Sequence, residues 1–148
     1  MKYSRLTDRD LILSVLMDKD IQETTAIDKV ELEINTKKNC FLGCFKDGHL
    51  IGVCVFEPDN SVCVNYHPNL LKKYRGELSV PFTIGALKWL INKAPMYQKV
   101  NAKFPVKYKG LSKYAENCGF KNEGLDRSSC SLGDRHSYGI TKEEIKKL

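Results

Sequence analysis

Apolar positions follow two different periods along this chain. Between Asp8 and Asp18, Leu11, Ile12, Val15 and Leu16 recur at helical spacing. Thr7 and Asp8 stand just ahead of them and each offers a capping oxygen, so the pattern predicts a first helix. From Ile21 to Thr36 the signal weakens. Ile27, Val30 and Ile34 keep a helical interval while Thr24 and Thr25 lower the propensity, and a short helix or irregular arm is expected. At Cys40 the period changes. CFLGCFK and HLIGVCVFE are separated by Asp47-Gly48, a dipeptide that takes the left-handed angles of a tight hairpin without strain. Pro58-Asp59-Asn60 then turns the chain into SVCVNYH. Three antiparallel strands are therefore expected as a block.

Beyond the loop PNLLKKYRGELS, residues Val80 to Asn92 carry Phe82, Ile84, Leu87, Leu90 and Ile91 on a helical period, with Pro81 in the first turn. Gly85 and Ala86 permit close approach to a sheet, and Trp89 belongs to the core or to a lid on it. QKVNAKFP reads as a strand and Tyr108 to Cys118 as a helix closed by Gly119. FKNEGLDRSSCSLGD reads as one or two further strands, and Thr141 to Leu148 as a short amphipathic helix. No repeat or linker interrupts this order, so one mixed α/β domain over residues 1–148 is expected. A strand, crossover helix and parallel strand place a helix N-terminus at the sheet edge, where anions are commonly held.

Composition narrows the classes. The chain has 148 residues, 42% apolar and 28% charged, the balance of an ordinary globular domain. Its opening shows only a seven-residue apolar stretch, Leu11 to Met17, so no secretory leader is predicted, and no run approaches the roughly 20 residues of a membrane span. The six cysteines lack metal-ligand spacing and a chain of this size has little need of disulfides, so reduced thiols, no metal and a cytoplasmic setting are expected. The net charge of +6 is spread from Lys2 to Lys147, which argues against a nucleic-acid-binding arm and suits an anionic ligand or a solvated surface.

The succession of elements resembles the GNAT acyltransferases over almost the whole chain, from Leu6-Thr7-Asp8 to Gly139-Ile140. GCFKDGHLIGVCVF is similar to the family's second and third strands, SVCVNYHPNLLKKYRG to its fourth strand and cofactor loop, and KYAENCGFKNEG to its fourth helix and sixth strand. The closest likeness is to small bacteriophage-encoded GNAT-like proteins, with their strand-His-Pro, Tyr-Arg-Gly and Leu-Lys-Trp-Leu strings; for such a protein the setting would be the host cytoplasm. The resemblance implies a mostly antiparallel sheet of six to seven strands flanked by about four helices. It also implies transfer of an acetyl group from acetyl-CoA to an amine on a small molecule or protein, and admits a homodimer.

Residue by residue, the resemblance implies a cofactor site over Leu70, Leu71, Lys73, Arg75, Gly76, Glu77, Leu78, Ser79 and Val80. The family's R-x-x-G-x-G loop presents backbone N–H groups and a helix dipole to the pyrophosphate. Arg75 matches its start, Leu78 and Val80 stand at its two glycines, and Pro81 lacks an N–H. The amides of Leu78, Ser79 and Val80, with Lys72, Lys73 and Arg75, remain as donors. Leu70 and Leu71 correspond to the end of the fourth strand, whose backbone would meet the pantetheine and the thioester carbonyl.

Only a neutral amine attacks a thioester, so a base must accept its proton, and His67 at the strand end before the loop is the first candidate. The family's tyrosine acid corresponds here to Ala115; Tyr114 lies about 100° around the helix, and Tyr108 replaces an asparagine at that helix's start. These departures also suit a GNAT-like chain kept as an inactive binding or virion-associated protein. Glu57, Glu123, Asp126, Asp134 and His136 lie where an acceptor would be expected, and no spacing singles them out.

Overall fold

In a computed structural model, which describes residues 1–24 and 34–148, the chain builds one seven-stranded sheet with helices on both faces. The strands are β1 (Lys2–Leu6), β2 (Cys40–Lys46), β3 (His49–Pro58), β4 (Cys63–Leu70), β5 (Lys99–Pro105), β6 (Lys121–Cys130) and β7 (Gly133–Thr141). The helices are α1 (Arg9–Leu16), α2 (Lys19–Thr24), α3 (Ser79–Lys93), α4 (Leu111–Asn117) and α5 (Lys142–Lys146). Sheet order is β1-β2-β3-β4-β5-β7-β6, antiparallel throughout except for β4 against β5. Mixed α/β architecture and a mostly antiparallel sheet are as the sequence led us to expect. Ile27 and Val30, read there on a helical interval, lie outside the described residues.

Four particulars differ. The chain opens with strand β1, which the sequence reading passed over. Its two apolar residues sit three apart and therefore point to opposite faces, so no alternation announces it. Tyr3 points toward α3, where its hydroxyl donates to the Phe82 carbonyl at 2.9 Å, and Leu6 points toward α1. β4 runs three residues past His67, through Pro68 to Leu70. Helix α4 starts at Leu111 and not at Tyr108, because Gly110 adopts a left-handed φ of 93° that interrupts the helix there. Tyr108 stays in the preceding turn, its N–H on the Pro105 carbonyl. Residues 135–140, unassigned from sequence, complete β7, which inserts between β5 and β6.

Local chemistry accounts for the elements. Asp8 caps α1, its carboxylate accepting from the N–H of Asp10 and Leu11, and the helix buries Ile12, Val15 and Leu16 against Phe41 and Val53. Each such side chain contributes about 1.5–3 kcal/mol. Leu11, on the same apolar period, faces outward. The larger core lies on the other face, where Phe82, Ala86, Leu87 and Leu90 of α3 meet Leu42, Ile51, Cys54, Phe56 and Tyr66 of the sheet. At Gly52 an added methyl would stand 2.7 Å from Phe82 Cε2 and 2.8 Å from the Asn69 carbonyl, so the absence of a side chain there lets α3 seat beside the end of β4.

Candidate active site

The parting of β4 from β5 makes the site. The two strands pair in parallel only at Cys63↔Lys99, Val64↔Val100 and Asn65↔Asn101. Thereafter β4 follows β3 up to Gly52↔Leu70 while β5 follows β7 down to Pro105↔Arg135. Pro68 falls in the parted stretch, opposite Cys54 of β3. Its missing N–H points toward the gap, where no ladder bond is lost. A cavity of about 770 Å³ occupies the opening and reaches both faces of the sheet.

On the α3 face, the end of β4 and the loop into α3 form a cradle. Leu71 directs its N–H at the Ile51 carbonyl, 3.0 Å away, which closes the β3–β4 ladder. Backbone groups of a strand alternate in direction, so those of Leu70 face the opened edge and those of Leu71 do not. Of the two leucines expected to serve a ligand through the backbone, only Leu70 is therefore placed to do so. Its carbonyl already accepts from Arg75 Nε at 2.9 Å, leaving the N–H facing the gap.

A 3₁₀ turn, Lys72–Tyr74, carries Lys72 and Lys73 at the surface, and Gly76 follows with a φ of 96°, which a side chain would strain. Gly76 N–H donates to Ser79 Oγ at 3.0 Å, and Ser79 N–H returns to the Gly76 carbonyl at 3.1 Å. The Ser79 amide, expected as a ligand donor, is thus engaged within the turn. The N–H groups of Glu77, Leu78 and Val80 have no partner among the described residues, and α3 has no side-chain cap. Three backbone donors at a helix start, beside Lys72, Lys73 and the outer nitrogens of Arg75, suit a pyrophosphate without the two glycines.

A run of hydroxyls ties this cradle to the core. Tyr114 Oη donates to the Ser79 carbonyl at 2.7 Å. Thr83 Oγ1 lies 2.6 Å from Tyr114 Oη, Tyr66 Oη 2.8 Å from Thr83 Oγ1, and Cys54 Sγ 3.4 Å from Tyr66 Oη. With the Tyr114 proton committed to Ser79, each remaining hydroxyl donates to the next in the order Cys54, Tyr66, Thr83, Tyr114. Burial holds the Tyr114 and Tyr66 phenols far above their ordinary value, so both stay protonated. Burial likewise pushes the neighbouring Cys118 thiol up to about 11. The Tyr114 proton in this arrangement braces α3, whereas the Tyr108 side chain lines the cavity from the turn before α4. This network escaped sequence reading because its members come from β3, β4, α3 and α4.

The opposite face of the gap carries Asn65, His67 and Asn69 of β4, level with Glu57, Val55 and Val53 of β3. His67 is exposed along one edge, yet protein crowded against its inner side lowers its pKa below the ordinary imidazole value; Glu57 opposes this and Arg135 adds to it. The imidazole is therefore neutral at pH 7, as a proton acceptor requires. Asn69, 6% exposed, donates its amide hydrogens to the carbonyls of Val53 and His67 at 3.1 and 3.2 Å. Glu123, by contrast, pairs with Lys99 at 2.6 Å away from the gap, and His136 packs tilted against Phe104 and edge-on to Tyr138 on the α4 side. Asp134 accepts from the Ser128 N–H within the hairpin.

Among the described residues no three His, Cys, Asp or Glu stand together as a metal site, and no helix is long and apolar enough to cross a membrane. Comparison with protein-family models finds no match, and neither does comparison with curated proteins. Solved structures match across the full length. The spermidine N-acetyltransferase of Vibrio cholerae, in complex with CoA and spermine, superposes with a TM-score of 0.81 at 14% identity, covering 98% of this chain and 97% of that one. An aminoglycoside acetyltransferase in complex with coenzyme A and kanamycin gives a TM-score of 0.79 at 14% identity, covering 99% and 97%. The fold is that of the GNAT acetyltransferases.

Proposed function

We propose that the protein is an acetyl-CoA-dependent N-acetyltransferase acting on an amine by direct attack. The observation that carries this reading is the parting of β4 and β5 beside the uncapped start of α3, with a cavity open to both faces between them. The structural neighbours with this fold are complexes of N-acetyltransferases with coenzyme A and amine ligands, which supports the same chemistry here.

Acetyl-CoA supplies the activated acetyl group when bound. The N–H groups of Glu77, Leu78 and Val80 with Lys72, Lys73 and Arg75 would hold its phosphates. The Leu70 N–H would donate to the thioester oxygen as charge builds there, from a position already set by the β3–β4 ladder. The amine would enter from the Asn69 face and give its proton to His67 or to a water held by it. Tyr108, the one cavity tyrosine whose hydroxyl has no partner among the described residues, is the better placed to meet the leaving sulfur.

Calorimetric titration with acetyl-CoA tests the reading. Micromolar binding is expected, weakened by at least about tenfold in an Arg75→Ala, Ser79→Pro double variant that removes charge and turn together. Absence of binding to the unaltered chain would leave a GNAT-like fold used for something other than acyl transfer.

A further inference from the structure

Within the acetyltransferase reading, we infer that the acceptor is an amine that also bears an anionic group, a carboxylate or a phosphate, held by Arg135 and Lys103. Register brings both residues to the acceptor face of the sheet, Lys103 lining the cavity and Arg135 one strand farther out on β7. Asn65 is level with Asn101, so Lys103, two residues on, is level with His67 across the opening and on the same face. Lys103 pairs with Ser137 on β7, and Arg135 follows two residues before it, opposite Pro105. Arg135 lies near enough for its charge to act on His67.

The inner end of this face is made of acceptors. Glu57 sits on β3 opposite Asn65, diagonal to His67 on the same face, and Asn69, with both amide hydrogens engaged, has its Oδ1 left to receive a donor. Asn39 lines the same cavity, and its Oδ1 is buried with no partner among the described residues. An ammonium entering here finds lone pairs and one negative charge.

The outer end is cationic. Arg135 is half-buried and steadied by its Nε on Ser129 Oγ at 2.9 Å, which leaves its terminal nitrogens without a partner among the described residues. Asp126 pairs with Lys103 at 2.7 Å and stands opposite Arg135 across β6 and β7, so one carboxylate is shared between two cations and a positive charge is left over. Around the cavity as a whole, Glu57 is the sole lining carboxylate among the described residues, against Lys38, Arg75, Lys103 and Lys109. A polycation of the kind bound by the structural neighbours would bring positive groups against these cations. An amine with its own anion would satisfy both ends, because a guanidinium fork with free nitrogens recognises a carboxylate or phosphate in two-point geometry.

The test compares matched acceptors on an enzyme first shown by calorimetry to bind acetyl-CoA. γ-Aminobutyrate against butylamine forms the carboxylate arm, O-phosphoethanolamine against ethylamine the phosphate arm, and spermidine is the polycation. The anionic member of at least one arm is expected to exceed its partner in kcat/KM by about tenfold or more, and the better arm names the anion. Arg135→Gln should reduce that ratio to about twofold or less, and Arg135→Lys should restore part of it. Because a ratio within one variant is read, partial loss of folded protein does not blur it, and Lys103→Gln gives an independent reduction. Butylamine or spermidine used as well as the anionic amines, or no turnover of either anionic amine by a chain that binds acetyl-CoA, would overturn the inference while leaving cofactor binding intact. Failure to bind acetyl-CoA removes the underlying reading, and this one with it.

Discussion

The Tyr114 hydroxyl donates to the Ser79 carbonyl across 2.7 Å, joining α4 to the first turn of α3. Ser79 is also the residue whose Oγ and N–H close the turn through Gly76. The aim of the neighbouring amides at a phosphate therefore depends on a phenol 35 residues away. Tyr114→Phe keeps the ring packing and removes the donor. The expected cost is about 1–2 kcal/mol of stability, since the Thr83 hydroxyl loses its partner as well. Acetyl-CoA affinity should fall several-fold. Urea unfolding and calorimetry read the two separately, and unchanged affinity would show that the brace does not reach the cradle.

His67 makes a prediction with a definite sign. Its folded pKa lies below the ordinary value, so the unfolded chain takes up a proton first as pH falls through about 6.5. Folding stability should accordingly drop below that pH, and His67→Gln should remove this part of the dependence. If His67 is the base, kcat/KM rises as pH increases through a pKa below about 6.5 and is level at neutrality. The glutamine variant should lose most of the activity and that limb of the profile.

Glu144 shows the opposite sign. The Lys121 ammonium at 2.6 Å, with bonds from the Thr141 backbone and hydroxyl, holds its carboxyl down at about 2. Its contribution is complete above the unfolded value near about 4.3 and is lost as pH falls through the interval below. Thermal melts across that interval should show a shallower acid loss for Glu144→Gln. Thr141→Ala, which removes the capping box of α5 and loosens buried Ile145, should cost about 1 kcal/mol.

Gly52→Ala probes the seat of β4. The new methyl would press on Phe82 Cε2 and on the Asn69 carbonyl, and the second of these is backbone in a paired strand. A loss of about 1–3 kcal/mol is expected, read by denaturant titration. A variant as stable as the parent would show that α3 and β4 have room to separate.

Much of the fold was legible along the chain because its signals are local. Asp47-Gly48 marks the hairpin between β2 and β3, where Asp47 itself takes a φ of 51°, and the apolar period of Phe82, Leu87 and Leu90 marks α3. β1 was not legible, since Tyr3 and Leu6 serve two cores on opposite faces. Nor was the start of α4, where Gly110 prevailed over an apolar pattern reaching back to Tyr108.

For the cleft beside α3, local signals anticipated a helix start soon after Arg75-Gly76 but not the direction of individual backbone groups. Arg75, Gly76 and the start of α3 stand where the strings placed them. The Ser79 amide turned inward and Leu71 served β3, because hydrogen-bond direction follows from pairing and not from residue type. Arg135 carried no signal, being one of 24 lysines and arginines until β7 inserted beside β5.

By itself, then, the sequence determined periods, turns and caps, which act over a few residues through backbone sterics and side-chain alternation. Tertiary structure decided strand order, the gap after Asn65↔Asn101 and the company of His67. Those depend on pairings between segments distant in the chain, formed by burying two apolar faces of one sheet at once.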